Sequence, residues 1–329
     1  MIGPFATLRR SLYGAGILRQ ESLPRPVISV GNLSVGGTGK TPHVQFLASW
    51  LTETGVKVAV LSRGYGRKSR GVVWVSRGDG PAVTAEYGGD EPVLLAALLP
   101  GVPVLAGESR AEAGRECLRS RDVDVFLLDD GFQHLSLGRD ADILLVDATC
   151  VLGNMRTLPF GPLRESPETA RRADALVITK CAGLSQGEKA AAAVPFEADR
   201  PRAYTRMVAR AVVDRFGRET SLPRDGEEVV AFSGLAHNGQ FADTLRTSGF
   251  AVRKFFSFRD HYRYRRADLE RIASAAGGAP VLTTEKDLVR LSGTLPFDLK
   301  AIRIGVEFLS GWEDLSRLIL ERLGKAVES

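Results

Sequence analysis

Residues 27–51, VISVGNLSVGGTGKTPHVQFLASWL, constrain the fold of this chain more than any other stretch. A β-branched apolar run, Val27 to Val30, leads into a Gly-rich turn that ends Gly39-Lys40-Thr41. Val44, Leu47, Ala48 and Leu51 then recur at helical spacing. Strand, glycine-rich loop and helix in that order predict a phosphate-binding P-loop. Its backbone N–H groups, over Ser34, Val35, Gly36, Gly37, Thr38 and Gly39, are expected to surround phosphate oxygens at the helix N-terminus. Lys40 is expected to reach the β- and γ-phosphates, and the Thr41 hydroxyl to ligate Mg²⁺. The usual first glycine, six residues before the lysine, is Ser34 here, so Gly36 and Gly37 are expected to supply the unusual backbone angles.

Further apolar runs alternate with helical or polar segments: 56–64, 101–107, 124–131, 140–148 and 173–180. Such runs predict an α/β fold, P-loop NTPase-like, with a mostly parallel sheet flanked by helices. Ligands of these sheets bind beyond the carboxyl ends of the strands. The expected division is an N-terminal helix over 1–25, a core domain over 26–201, a strand-like linker over 202–225 and a smaller α/β domain over 226–329. In the first segment Ile2, Phe5, Leu8 and Leu12 recur near Arg9, Arg10 and Arg19. That pattern suits a basic amphipathic helix on a membrane surface, or one packed on its own domain.

The net charge of +5 favours anionic partners, but no basic block interleaved with aromatics or zinc-finger pattern points to nucleic acid. Cys117, Cys150 and Cys181 form no C-x-x-C pair, which suits a reducing compartment. The most apolar long stretch, 92–106, is interrupted by Pro100 and Pro103 and is too short to span a membrane.

Several constellations carry chemistry. DVFLLDDG places Asp129 and Asp130 at a strand end, where an acid can hold Mg²⁺. SRGYGRKSRG gathers Arg63, Tyr65, Arg67, Lys68 and Arg70 in a Gly-punctuated loop suited to phosphate and sugar. Asp90, in GGDEP, reads equally as a helix cap or as a base for a hydroxyl. LPFGPLRE carries Arg164 and Glu165. No two of His43, His134, His237 and His261 are spaced for metal ligation. Thr179-Lys180-Cys181-Ala182 lacks the residues that read guanine, and Val35 stands where partitioning ATPases carry a second lysine.

Taken in order, GNLSVGGTGKTP, SRGYGR, GDEP, LLDDGFQH, LPFGPLRE, FRDH and TTEKD resemble the tetraacyldisaccharide 4′-kinase family, the lipid A kinases. The resemblance implies transfer of the ATP γ-phosphate to the 4′-hydroxyl of tetraacyldisaccharide 1-phosphate. It also implies a peripheral enzyme on the cytoplasmic face of a Gram-negative inner membrane, expected here to act as a monomer. By the same resemblance Asp90 is the base and His261 its partner, brought together by domain closure; Lys40 and Thr41 are the P-loop pair. Thr41, Asp129 and Glu165 would hold Mg²⁺, and Arg63, Tyr65, Arg67, Asp130, Gln133 and His134 the head group. Arg259 and Tyr262 depart from the family pattern, as does AFSGLAHNGQF.

Overall fold

Val27–Asn32 forms β1, and all of its residues are buried, as a run flanked by strands on both sides and helices above and below requires. The computed structural model describes residues 12–13, 16–215, 217–220, 226–291 and 293–327. The expected N-terminal helix falls largely on 1–11 and 14–15, outside the described residues.

Among the described residues the strands are β1, β2 (Val58–Ser62), β3 (Val73–Arg77), β4 (Pro103–Ala106), β5 (Val125–Asp129), β6 (Ala141–Asp147), β7 (Ala175–Thr179), β8 (Arg202–Asp214), β9 (Glu219–Thr220), β10 (Glu228–Ser233), β11 (Ala251–Ser257), β12 (Val281–Thr284) and β13 (Leu299–Ser310). They join one sheet of order 11-10-12-13-8-7-6-1-5-2-4-3, with β9 beside β8. Neighbours from β8 to β4 are parallel, as are those from β11 to β13. Polarity reverses where β13 meets β8 antiparallel, and again at the edge pair β3–β4. The run 202–214, read as strand-like from its alternation, is thus a full sheet member in register with Leu176–Ile178 on one side and β13 on the other.

Val44, Leu47, Ala48 and Leu51 bury one face of the helix Lys40–Glu53 against the sheet. Its Phe46 and Trp50 pack against Phe308 of β13 and Trp312. The last helix, Trp312–Val327, therefore returns to the first unit, with Leu315 and Ile319 in the same core as Val44. A separate apolar cluster around Val229, Phe241 and Ile302 supports the second parallel segment. The strand order 6-1-5 puts the ends of β1 and β5 side by side, with Val30 paired to Asp129.

Candidate active site

The P-loop is shaped from behind. Gly39, at φ +83°, turns the chain into the helix Lys40–Glu53. The Thr179 hydroxyl donates to Thr38 O at 2.9 Å, His43 Nδ1 meets Gly39 O at 2.8 Å, and Lys180 Nζ donates to Gly37 O. A peptide's N–H points opposite its carbonyl. The bound carbonyls of Thr38 and Gly39 therefore turn the N–H groups of Gly39 and Lys40 toward the open side. Two other N–H groups of the loop are already engaged: Val35 N bonds Pro162 O at 2.8 Å, and Thr38 N bonds Gly36 O at 3.2 Å. Lys40 Nζ donates to Asn32 Oδ1 at 3.3 Å and lies 3.6 Å from Asp130 Oδ1. Thr41 is the second residue of the helix.

The paired acids occupy different surroundings. Asp130, at φ +54°, receives Arg164 Nη1 at 3.0 and 2.8 Å. Burial would raise its carboxyl, but Lys40 and Arg164 outweigh that and hold it below the usual range. Asp129 is 2% exposed and accepts only the Ser62 hydroxyl, at 3.2 Å, among the bonds described. Burial, then the charges of Glu91 and Asp130, push it up to about 7. A buried carboxyl in that condition fits a divalent cation, whose charge would reverse the cost. Glu165, also expected near Mg²⁺, accepts Arg172 at 2.9 and 3.3 Å and is buried. Arg172 lies 3.8 Å over the Phe132 ring, which fixes that pair. Among the described residues no three His, Cys, Asp or Glu side chains form a metal cage. Mg²⁺ bound through one or two carboxylates, phosphate and water needs none.

The head-group candidates divide. Tyr65 is 69% exposed, with its ring 5.9 Å from His261. Arg63 is exposed and acts on the buried Arg110, which lies 3.4 Å from His134 Nδ1; burial, then Arg63, lowers Arg110 to about 10. Gln133 is braced between Asn32 O, at 2.9 Å, and Arg164, at 3.3 Å. Arg67 differs from its expected place. Its guanidinium is nearly enclosed and bonds Ala106 O, Gly71 O and Glu108, so it holds the loop together.

Two glycines bring the SRGYGR and GGDEP loops into contact. A Cβ on Gly89 (φ +93°) would stand 2.8 Å from Gly64 Cα, so neither loop could close on the other with a larger residue there. Gly89 caps the helix Asp90–Leu98, and no side-chain cap is made. Asp90 is thereby free of the capping role that its sequence position allowed. Its Oδ2 instead accepts His261 Nδ1 at 2.8 Å and Arg290 Nε at 2.6 Å. Burial would raise Asp90, but His261 and Arg290 together keep it below the ordinary carboxylate range. His261 sits at φ +55°, and its N–H donates to Asp260 Oδ1 at 2.9 Å. The contact expected to need domain closure is already made in this structure.

Sequence reasoning did not find Arg290, Lys286, Arg110, Asn32 or Lys180. TTEKD marks the neighbourhood of the first two, but their partners, Asp90 and Glu91, lie about two hundred residues away.

The family model described as Tetraacyldisaccharide-1-P 4'-kinase matches residues 1–324. A protein of Anaeromyxobacter dehalogenans (strain 2CP-C) named Tetraacyldisaccharide 4'-kinase is 40% identical over 318 residues, covering 93% of this chain and 84% of that one. One of the same name from Aquifex aeolicus (strain VF5) is 43% identical over 288 residues, covering 87% and 85%. The crystal structure of an "apo" form LpxK from Aquifex aeolicus in complex with ATP superposes with a TM-score of 0.79 at 39% identity, covering 98% of this chain and 96% of that one.

Proposed function

Since the chain belongs to the tetraacyldisaccharide-1-P 4'-kinase family, we propose how its own residues carry that family's reaction. The protein is an ATP-dependent kinase of lipid A biosynthesis that phosphorylates the 4′-hydroxyl of tetraacyldisaccharide 1-phosphate. The nucleotide phosphates rest on the P-loop N–H groups, and Lys40 turns from Asn32 and Asp130 to meet them. Asp129 and Thr41 would hold Mg²⁺, and Glu165 would join them on giving up its bond to Arg172. When bound, that ion neutralises charge on the β- and γ-phosphate oxygens. Asp90 accepts the proton of the 4′-hydroxyl, and His261 fixes the direction of its carboxylate. Tyr65 and Arg63 offer a stacking face and a cation to the head group, with Asp130, Gln133 and His134 along its edge.

The carrying observation is the contact between Asp90 Oδ2 and His261 Nδ1 at 2.8 Å. It joins the loop before the second parallel segment's helix 266–276 to the first turn of the helix Asp90–Leu98. Glu91, the next residue of that turn, acts electrostatically on Asp129, which supports a single site for base and phosphates.

No helix among the described residues is long and apolar enough to cross a membrane. The reading is of a monomer peripheral to the cytoplasmic face of the inner membrane, with residues 1–25 against the lipid, residues 26–201 as one unit, and residues 226–329 beyond the 202–225 segment as a second whose last helix, Trp312–Val327, packs back on the first. Exposed Ile17, at 69%, supports an apolar contact near that end.

The test uses γ-labelled ATP, Mg²⁺ and tetraacyldisaccharide 1-phosphate in detergent, with Lys40→Ala alongside. Label passing to the lipid with the wild type and not with the variant supports the reading. ATP consumed without labelled lipid overturns it.

A further inference from the structure

We propose that Arg290 is a positioning residue for phosphoryl transfer, holding the Asp90 carboxylate from a buried anchor so that Oδ1 is left for the acceptor hydroxyl. The inference rests on Asp90 being the base.

The anchor is Asp287, which is fully buried. It accepts Gly234 N at 3.1 Å, the Tyr264 hydroxyl at 2.8 Å, the Thr284 hydroxyl at 2.7 Å and Arg290 Nη1 at 2.9 Å. Arg290 Nη1 also donates to Gly234 O at 2.9 Å. One end of the guanidinium is therefore held by two groups, Gly234 O and Asp287, and Asp287 is itself held by three other donors. The other end delivers Nε to Asp90 Oδ2 at 2.6 Å, and the Arg290 side chain is only 5% exposed.

His261 Nδ1 meets the same oxygen at 2.8 Å. An ionised carboxylate only accepts, so Nδ1 carries the proton and the 3.4 Å approach of Arg290 Nη2 to Nδ1 is a contact rather than a bond. Both donors thus converge on Oδ2, and no bond to Oδ1 is made among the described residues. A carboxylate pinned by one oxygen keeps its second lone-pair set directed outward, which is the geometry a base needs.

The neighbouring pair repeats the arrangement. Lys286 Nζ donates to Glu91 Oε1 at 3.0 Å. Two cations four residues apart thus meet two consecutive acids at the first turn of the helix Asp90–Leu98. An ion pair serving only stability would need neither the buried anchor nor a share in the base's oxygen. The charged groups facing Asp90 are Arg290, His261 and Asp260, with the Glu91–Lys286 pair beside them.

The experiment compares Arg290→Gln, Arg290→Lys and Asp90→Asn in the full-length enzyme, measuring kcat, KM for ATP, the acid limb of kcat/KM and melting temperature. Arg290→Gln is expected to lower kcat by about 10- to 100-fold with KM for ATP within about twofold. Loss of the cation lets the Asp90 carboxyl rise, so the acid limb moves to higher pH. Arg290→Lys keeps the charge and is expected to recover part of kcat and return the acid limb. Arg290→Gln with kcat within about twofold of wild type and an unmoved acid limb, beside an inactive Asp90→Asn, overturns the role of Arg290 alone. A fall in kcat matched by equal loss of folded enzyme in both Arg290 variants also overturns it. An active Asp90→Asn overturns the assignment of the base, and this inference with it.

Discussion

Asp90 and His261 are 171 positions apart in the chain, yet Nδ1 of one ring lies 2.8 Å from Oδ2 of the other side chain. His261→Ala leaves Asp90 on Arg290 alone, while Asp90→Ala removes the proposed base. Turnover should fall by about 10²–10⁴ for Asp90→Ala and by less for His261→Ala, with ATP affinity little changed in either. Steady-state kinetics beside nucleotide binding by calorimetry checks this; near-normal turnover by Asp90→Ala would remove it from the mechanism.

Lys40 is held toward Asp130 at 3.6 Å, and Asp130 has Arg164 as a second partner. In Lys40→Ala, Asp130 keeps Arg164 and the buried Asp129, already raised to about 7, can hold its proton, so the protein is expected to melt within a few degrees of wild type. Labelled-phosphate transfer should nonetheless drop by about 10²-fold or more, because the phosphates lose their cation. A large fall in melting temperature would show that the lysine's first role is structural.

His43 makes one contribution to the pH dependence of stability. Burial, opposed by its bond to Gly39 O, lowers it from 6.5 to about 4, and Nε2 faces the Thr205 hydroxyl at 3.1 Å. Between those values the unfolded chain binds a proton at His43 that the folded one refuses, so this residue's share of stability rises with pH. Asp129, raised to about 7, contributes in the opposite direction across the same window. The His43 contribution is present above pH 6.5 and is lost as pH falls toward 4; its size is on the order of 3 kcal/mol. Denaturant midpoints measured across that window should differ in slope between wild type and His43→Gln, the wild type gaining more stability, or losing less, as pH rises. An unchanged slope in the variant would place the acid sensitivity elsewhere.

Gly31 lies against the DDGFQH loop. A Cβ there would stand 2.6 Å from Phe132 Cβ and 2.7 Å from its backbone nitrogen. Backbone cannot yield as a side-chain tip can, so Gly31→Ala is expected to cost about 1–3 kcal/mol. It should also weaken metal-dependent nucleotide binding, because the loop carries Asp129 and Asp130. Urea midpoints and titration with nucleotide test the two effects separately.

Arg67 distinguishes a loop brace from a ligand contact. Its bonds to Ala106 O, Gly71 O and Glu108 predict that Arg67→Ala lowers the melting temperature and disturbs the SRGYGR loop. KM for the lipid should then change no more than it does on replacing Glu108, its partner. A selective loss of lipid affinity in Arg67→Ala would return it to the head-group surface.

Local chemistry made the P-loop, the buried strands and the acid pair at the end of β5 legible from sequence. Each is set by residues within one turn or one strand: β-branched runs, glycines at a tight loop, a lysine opening a helix. Asp90 was legible as a candidate but not as a choice between cap and base. The tertiary structure removed the cap, since Gly89 caps the helix by backbone and the Asp90 carboxylate goes to Arg290 and His261 instead. Tertiary structure alone decided the antiparallel join of β8 and β13, the partnership of Glu165 with Arg172, and the turning of Arg67 inward. These depend on which surfaces meet once distant strands have taken their places. Hydrophobic pattern determines that a strand is buried, but the neighbour it finds, and so the charge each side chain faces, is set by the packing of the whole sheet.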